Sequence, residues 1–217
     1  MPKHIRAGAL TVLAMTAVTL GTTLSVQADA EAAPNTTMAK TAVAKAAAWP
    51  PFLTAAELPK YLDSTWTTGK VTGGVPEELQ FCLGDALLAY NLQYREYRTD
   101  LEASARQLTI VVGDDAKAAA LAKRLNKDFR SCAEREPSDP EIVNTYRDFG
   151  TLPVEEGARV HGVQTSTAWG AMDVNLLSVG RDGGTVTVVD WGQMGDFGDA
   201  PVKAFKKTTT TAVNKLH

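Results

Sequence analysis

The stretch MDVNLLSVGRDGGTVTVVDW, from Met172 to Trp191, decides the fold. Two runs rich in β-branched and other apolar residues flank an Asp-Gly dipeptide, which is a strong β-hairpin signal. With Asp182 and Gly183 as the two turn residues, one face is plainly core and the other is either covered by another element or open as a groove. The register predicted for the first face pairs Val179 with Val186, Leu177 with Val188 and Asn175 with Asp190. For the second face it pairs Ser178 with Thr187, Leu176 with Val189 and Val174 with Trp191.

Outward from this hairpin, the hydrophobic periodicity predicts helices and strands in alternation. Thr54 and Glu57 form a capping box at the start of a short helix, residues 70–74 read as a loop, and residues 146–154 are ambiguous. Longer helices are predicted over 76–91, 114–134 and 200–216, and further strands over 92–99, 105–112 and 159–165. The fold class is therefore α+β, with a mostly antiparallel sheet packed with helices in a single domain.

The two cysteines lie on the apolar stripes of two predicted helices. Cys82 shares its stripe with Leu79 and Leu83, and Cys132 ends the stripe that contains Leu125 and Phe129. Two core-facing cysteines on packed helices can be joined, and an even count in an exported chain favours pairing. We therefore predict one disulfide; a metal site or a catalytic thiol is the alternative.

The N-terminal residues have the pattern of a secretory signal peptide. Lys3 and Arg6 precede an uncharged run, and small residues up to Ala28 fit a cleavage site, so the signal peptide is predicted over 1–28. A membrane anchor is the rival interpretation of the same run. Residues 29–48 are rich in alanine and predict a disordered tether, which leaves 49–217 as the folded domain. The predicted location is secreted and extracellular, with no membrane span after cleavage.

Charge excludes one class of partner. Loss of Lys3 and Arg6 with the leader lowers the formal net charge from −3 to −5, and no basic run is longer than two residues, as in Lys206-Lys207. Nucleic-acid binding needs a basic surface that this sequence does not predict. The expected partner is an extracellular small molecule or protein, and the chain is expected to be a monomer.

The sequence offers few candidates for catalysis. His161 lies on a predicted strand with no nucleophile motif to serve, and a structural role is the more common one for such a histidine. Asp173 and Asp190 share a predicted face and are the candidate carboxylate pair. The glycines at 180, 183 and 184 belong to the hairpin, so no cofactor is predicted. We expect no catalytic residues, with a secreted hydrolase that uses carboxylates or His161 as the alternative.

The segment from Asp190 to Asp199 is the richest predicted loop, because it combines three glycines, two aromatic residues and three carboxylates. One interpretation is a ligand-binding loop, with Trp191 and Phe197 as contact surface beside Leu176 and Thr187 on the second hairpin face. The other is a plain strand-to-helix connection with Asp199 as a helix cap. No metal site is predicted, since the spacing matches no calcium-loop pattern.

The motif Leu53-Thr54-Ala55-Ala56-Glu57-Leu58-Pro59, the cysteine in each of two helices, and the closing hairpin and helix resemble secreted actinobacterial sensor-domain proteins. They are similar to the PknH-like extracellular domain of mycobacterial receptor kinases. The resemblance implies a mixed sheet with helices, a cleft for an unidentified ligand, and no enzymatic activity. Kinase-linked members carry two disulfides, whereas only Cys82 and Cys132 are present here.

These observations together predict a secreted, non-enzymatic, ligand-binding or sensor-like module. Besides the hydrolase, an extracellular protein-interaction or cell-wall-associated module is a further alternative, in which the tether at 29–48 provides reach.

Overall fold

The computed structural model describes residues 49–217, so the predicted signal peptide at 1–28 and tether at 29–48 lie outside the described residues. Seven strands form one antiparallel sheet in the order β1-β2-β3-β7-β6-β5-β4. The strands are β1 (Thr67–Gly73), β2 (Asn91–Arg98), β3 (Ser104–Val111), β4 (Ile142–Leu152), β5 (Ala158–Thr167), β6 (Met172–Asp182) and β7 (Thr185–Met194). The helices are α1 (Glu77–Leu87), α2 (Asp115–Ala133) and α3 (Val202–Asn214), and a short 3-10 helix covers Ala55–Glu57. The predicted α+β class is confirmed.

The sheet is covered on both faces. Helices α1 and α2 pack on one face, which we call the α2 face, through a core of leucine, isoleucine and valine side chains. Helix α3 and the segment 49–58 cover the opposite α3 face, where the aromatic side chains Tyr97, Trp191 and Phe205 are buried. The second face of the hairpin is therefore covered by another element, one of the two alternatives that the sequence left open.

The segment 49–58 is held on the α3 face by hydrogen bonds as well as by packing. The Leu53 amide donates to Gln107 Oε1 at 2.6 Å, and the Tyr97 hydroxyl donates to the Leu53 carbonyl at 2.7 Å. The capping box of Thr54 and Glu57 is present. Lys215 Nζ forms an ion pair with Glu57 at 2.8 Å, which joins this segment to the end of the chain.

The hairpin register differs from the predicted one by two residues. Val179 pairs with Val188, Leu177 with Asp190 and Leu176 with Trp191, because the turn residues are Gly183 and Gly184. Gly183 has a φ of +50°, and a Cβ on Gly184 would lie 2.9 Å from the Asp114 amide nitrogen, so both positions favour glycine. A shift of two residues leaves every side chain on its predicted face.

Two segments were predicted incorrectly or left open. The predicted loop at 70–74 lies mostly in β1, an edge strand whose residues are all exposed, so it shows none of the apolar alternation that marks a half-buried strand. The ambiguous residues 146–154 belong mainly to β4, the other edge strand, whose register shifts between Asp148 and Gly150. Edge position explains both outcomes, since an edge strand needs fewer buried side chains.

The predicted disulfide is present. Cys82 in α1 and Cys132 in α2 are joined, with their Cα atoms 5.5 Å apart, so the bond links the two helices of the α2 face. Disulfides persist in oxidising compartments, and the bond therefore indicates a location outside the cytoplasm. Among residues 49–217, no helix is long and apolar enough to cross a lipid bilayer.

Candidate functional site

Three of the four predicted ligand contacts lie in the core of the α3 face. Leu176 and Trp191 are fully buried, and Thr187 is buried with its hydroxyl donating to the Leu108 carbonyl at 2.8 Å. Phe197 is half-buried and packs edge to face against Phe149. These four residues offer a ligand little surface as long as α3 and the segment 49–58 stay in place.

The segment from Asp190 to Asp199 is only partly a loop. Strand β7 continues to Met194, because the sheet needs a partner for the start of β6. The remaining turn is closed internally, with the Asp196 amide donating to Asp199 Oδ2 at 3.0 Å. Within residues 49–217, no cluster of three or more histidine, cysteine or acidic side chains is arranged to hold a metal ion.

The candidate carboxylate pair is not brought together. Asp190 lies opposite Leu177, whereas Asp173 lies opposite Met194, four residues along the same strand. Asp190 instead forms a buried ion pair with Arg106, whose Nη1 is 2.5 Å from Asp190 Oδ2 and whose Nη2 is 2.5 Å from Glu78 Oε1. Burial raises the pKa of Asp190, and the Arg106 guanidinium opposes that rise. This cluster joins α1 to the sheet.

A groove opens on the α2 face, between α2 and the strands β4 to β6. Its volume is about 520 Å³. The groove lies where the side chains of α2 are small, because the helix contributes Ala119 and Ala122 there. On the opposite side, Gly157 has no side chain and the methyl of Ala158 packs with Val154 and Val213 on the α3 face, so neither fills the space.

The walls of this groove are strongly basic although the chain as a whole is acidic. Five basic side chains and one acidic side chain line it: Lys123, Lys127, Arg130, Arg159, Arg181 and Glu156. The net charge of the chain is −3, so the groove concentrates positive charge against the average of the molecule. Such a local field attracts anions, and the effect is strongest inside a concave surface.

Several of these charges already have partners. Arg159 is paired with Asp148, and Arg130 Nε lies 2.9 Å from Glu134 Oε1. Glu156 Oε2 lies 3.9 Å from Arg181 Nη1 and accepts a hydrogen bond from the Gly183 amide at 2.9 Å. Within the described part of the chain, Lys123 and Lys127 form no ion pair, and both are exposed on α2. These two lysines are therefore the free positive charges of the groove.

His161 lies at the base of the groove in a closed hydrogen-bond network. Asn126 Nδ2 donates to the Ala122 carbonyl at 2.8 Å, so Asn126 Oδ1 is the atom that accepts from His161 Nε2 at 2.7 Å. Tyr146 then donates its hydroxyl to Nδ1 of the neutral ring at 2.8 Å. Both ring nitrogens are engaged, and the network joins α2 to β5 and β4.

The protonation state of His161 follows from its burial. The side chain is 1% exposed, and burial lowers its pKa to about 4, with Arg159 and Arg130 lowering it further and Asp148 opposing them. A neutral imidazole with both nitrogens bonded acts as a structural strut at physiological pH. The hydrogen bond from Arg159 lowers the pKa of Asp148, so that carboxylate stays ionised beside the groove.

One feature of the sequence of α2 indicates this groove, although the hydrophobic periodicity did not predict it. On α2, small and polar residues recur at 119, 122, 126 and 130, three or four residues apart, beside the core stripe formed by Leu121, Leu125 and Phe129. Lys123 and Lys127 lie at the outer edge of that stripe. The sheet residues that complete the groove come from β4 to β6, and their proximity depends on tertiary packing.

The sequence matches no protein-family model and no curated protein. Among solved structures, the domain is similar to the crystal structure of the extracellular domain of PknH from Mycobacterium tuberculosis. The sequence identity is 12%, the match covers 71% of this chain and 92% of that chain, and the TM-score is 0.47. This is a distant structural resemblance, and no ligand or activity is transferred from it.

Proposed function

We propose that this chain is a secreted, non-enzymatic, sensor-like module that binds an anionic ligand in the groove of the α2 face. One observation carries the proposal: five basic side chains and a single acidic one surround an open groove in a chain of negative net charge. The disulfide between α1 and α2 supports the extracellular part of the proposal.

The non-enzymatic part rests on how the candidate catalytic groups are bonded. His161 has both ring nitrogens in hydrogen bonds of 2.7 and 2.8 Å, and Asp190 is paired with Arg106 beneath α1. A general base has to reach the proton that it abstracts, and His161 would first have to give up Tyr146 or Asn126. The proposed role of His161 is to hold α2 at the distance from the sheet that keeps the groove open.

The test is a pair of variants on one helix that change the same charge. Lys123→Gln/Lys127→Gln removes two charges from the groove, and Lys117→Gln/Arg124→Gln removes two exposed charges from α2 that do not line it. We expect citrate, titrated at about 0.1 M salt, to bind the groove variant at least about tenfold more weakly than the unchanged protein. The control variant should keep the original affinity, because its charges are screened over about 10 Å.

Equal weakening in both variants would assign binding to the net charge of the molecule and would overturn the groove site. The non-enzymatic part is checked on the same samples with a screen of esters, glycosides and peptides. Turnover that disappears in His161→Ala would contradict it.

A further inference from the structure

The basic side chains of the groove form two rows. Lys123, Lys127 and Arg130 follow one another along α2, and seven residues of helix separate the first from the last, which is a length of about 10 Å. Arg159 and Arg181 form the second row on β5 and β6. Arg159 pairs with Val179, two residues from Arg181, so the two arginines are diagonal neighbours about 7 Å apart at Cβ. A single small anion would meet only part of this arrangement.

The floor between the two rows is apolar. Ala119 and Ala122 provide methyl groups and Gly157 provides backbone, whereas the methyl of Ala158 packs with Val154 and Val213 on the α3 face. A ligand that fits has charges at its edges and a less polar surface facing the floor. The C–H face of a sugar ring has that character, whereas a bare chain of phosphates would leave the methyl groups against charged oxygens.

Arginine supplies three of the five cations. Arg159 is held by Asp148, whereas Arg130 is paired through Nε alone. Arg181 Nη1 lies 3.9 Å from Glu156 Oε2. The guanidinium groups of Arg130 and Arg181 can each bind a carboxylate with two parallel hydrogen bonds, which a lysine ammonium does not do. We infer that the groove binds a short linear carboxylated glycan, with ring faces on the alanine floor and carboxylates directed to the two rows. This inference rests on the proposed function and names the ligand class of the same site.

The experiment titrates the full chain, purified with its disulfide intact, with galacturonic acid and its dimer, trimer and tetramer. We expect affinity to rise about tenfold with each added carboxylate while the chain lengthens along the 10 Å row, and to stop rising once the row is filled. Arg181→Gln should weaken trimer binding about tenfold and should change citrate binding less. Arg135→Gln, which changes an arginine outside the groove, should leave both affinities unchanged.

Maltotriose and tripolyphosphate serve as matched probes, the first without charge and the second without sugar rings. Maltotriose that binds as tightly as the charged trimer would overturn the role of the two rows. Tripolyphosphate that binds as tightly as the trimer would replace the glycan with a phosphate chain. Citrate binding without any gain for the oligomers would overturn the extended ligand and leave the proposed function standing, and failure of all the anions would overturn both.

Discussion

The two faces of the sheet bury similar strands under helices, yet they differ in how completely helix and sheet fill the space between them. On the α3 face, large aromatic side chains from β2, β7 and α3 fill the space, and Trp191 is completely buried. On the α2 face, the half of the helix that faces β5 and β6 presents Ala119 and Ala122, and the facing wall includes Gly157, which has no side chain. Helix–sheet packing becomes a groove when both sides contribute small residues, because the helix is held at a distance that those residues cannot fill.

Polar groups follow the same division. Several buried polar side chains of the α3 face bond within the covered layer: the Thr209 hydroxyl donates to Ser178 Oγ at 2.8 Å and the Thr187 hydroxyl donates to the Leu108 carbonyl at 2.8 Å. On the α2 face, the buried His161 is bonded to α2 and to β4, and the charged side chains above it face the opening. The α3 face is therefore closed throughout, whereas the α2 face combines a packed core with the open groove in which we propose the ligand site.

The largest expected loss of stability comes from a substitution in the core of the α3 face. Trp191→Ala removes a fully buried indole from packed surroundings, and we expect the free energy of unfolding to fall by about 3 to 5 kcal/mol. Urea denaturation measures this loss. Trp169→Ala is the matched control, because Trp169 is 65% exposed and its removal should change stability by less than about 0.5 kcal/mol. Equal losses in the two variants would show that Trp191 does not serve as the centre of a closed core.

Much of the arrangement of the two faces could be predicted from the sequence, because buried residues recur with the period of a helix or a strand. The stripes that contain Cys82 and Cys132, and the alternation on both sides of Gly183, predicted two helices, a disulfide and a hairpin on their own. The register was misplaced by two residues because Asp182-Gly183 and Gly183-Gly184 both suit a two-residue turn. Only the packing of Gly184 against the backbone of Gly113 and Asp114 decides between them.

The groove could not be predicted in the same way. It depends on space left between Ala122 on α2 and Gly157 just before β5, which are 35 residues apart in the chain. Alanine gives no sign in the sequence of whether it faces a neighbour or a gap. The predicted contacts Leu176, Thr187 and Trp191 were on the correct face for a groove only if no element covered it, and α3 covers it.

Acid is expected to have an intermediate effect: it should lower the free energy of unfolding through protonation of His161 at the base of the groove. The ordinary pKa of histidine is 6.5 and burial lowers that of His161 to about 4, so the unfolded chain binds the proton more readily. The stabilisation is complete above pH 6.5 and is lost as the pH falls towards 4, by about 3 kcal/mol in total. Urea denaturation between pH 7 and pH 4 should show this slope reduced in His161→Gln. A His161→Gln variant that keeps the slope of the unchanged protein would contradict the assignment.

The smallest effect on stability is expected from a substitution at Ala122, on the floor of the groove, where ligand binding should change most. Ala122→Leu places a larger apolar side chain beside open space, so the free energy of unfolding should change by less than about 1 kcal/mol while citrate affinity falls at least about tenfold. Ala120→Leu makes the same change on the exposed side of α2 and should alter neither quantity. A large loss of stability in Ala122→Leu would mean that α2 is packed as tightly as α3, and retained citrate binding would mean that the anion lies outside the groove. Weaker citrate binding by an Ala122→Leu variant that remains stable would show that the α2 face contains an open binding groove and the α3 face does not.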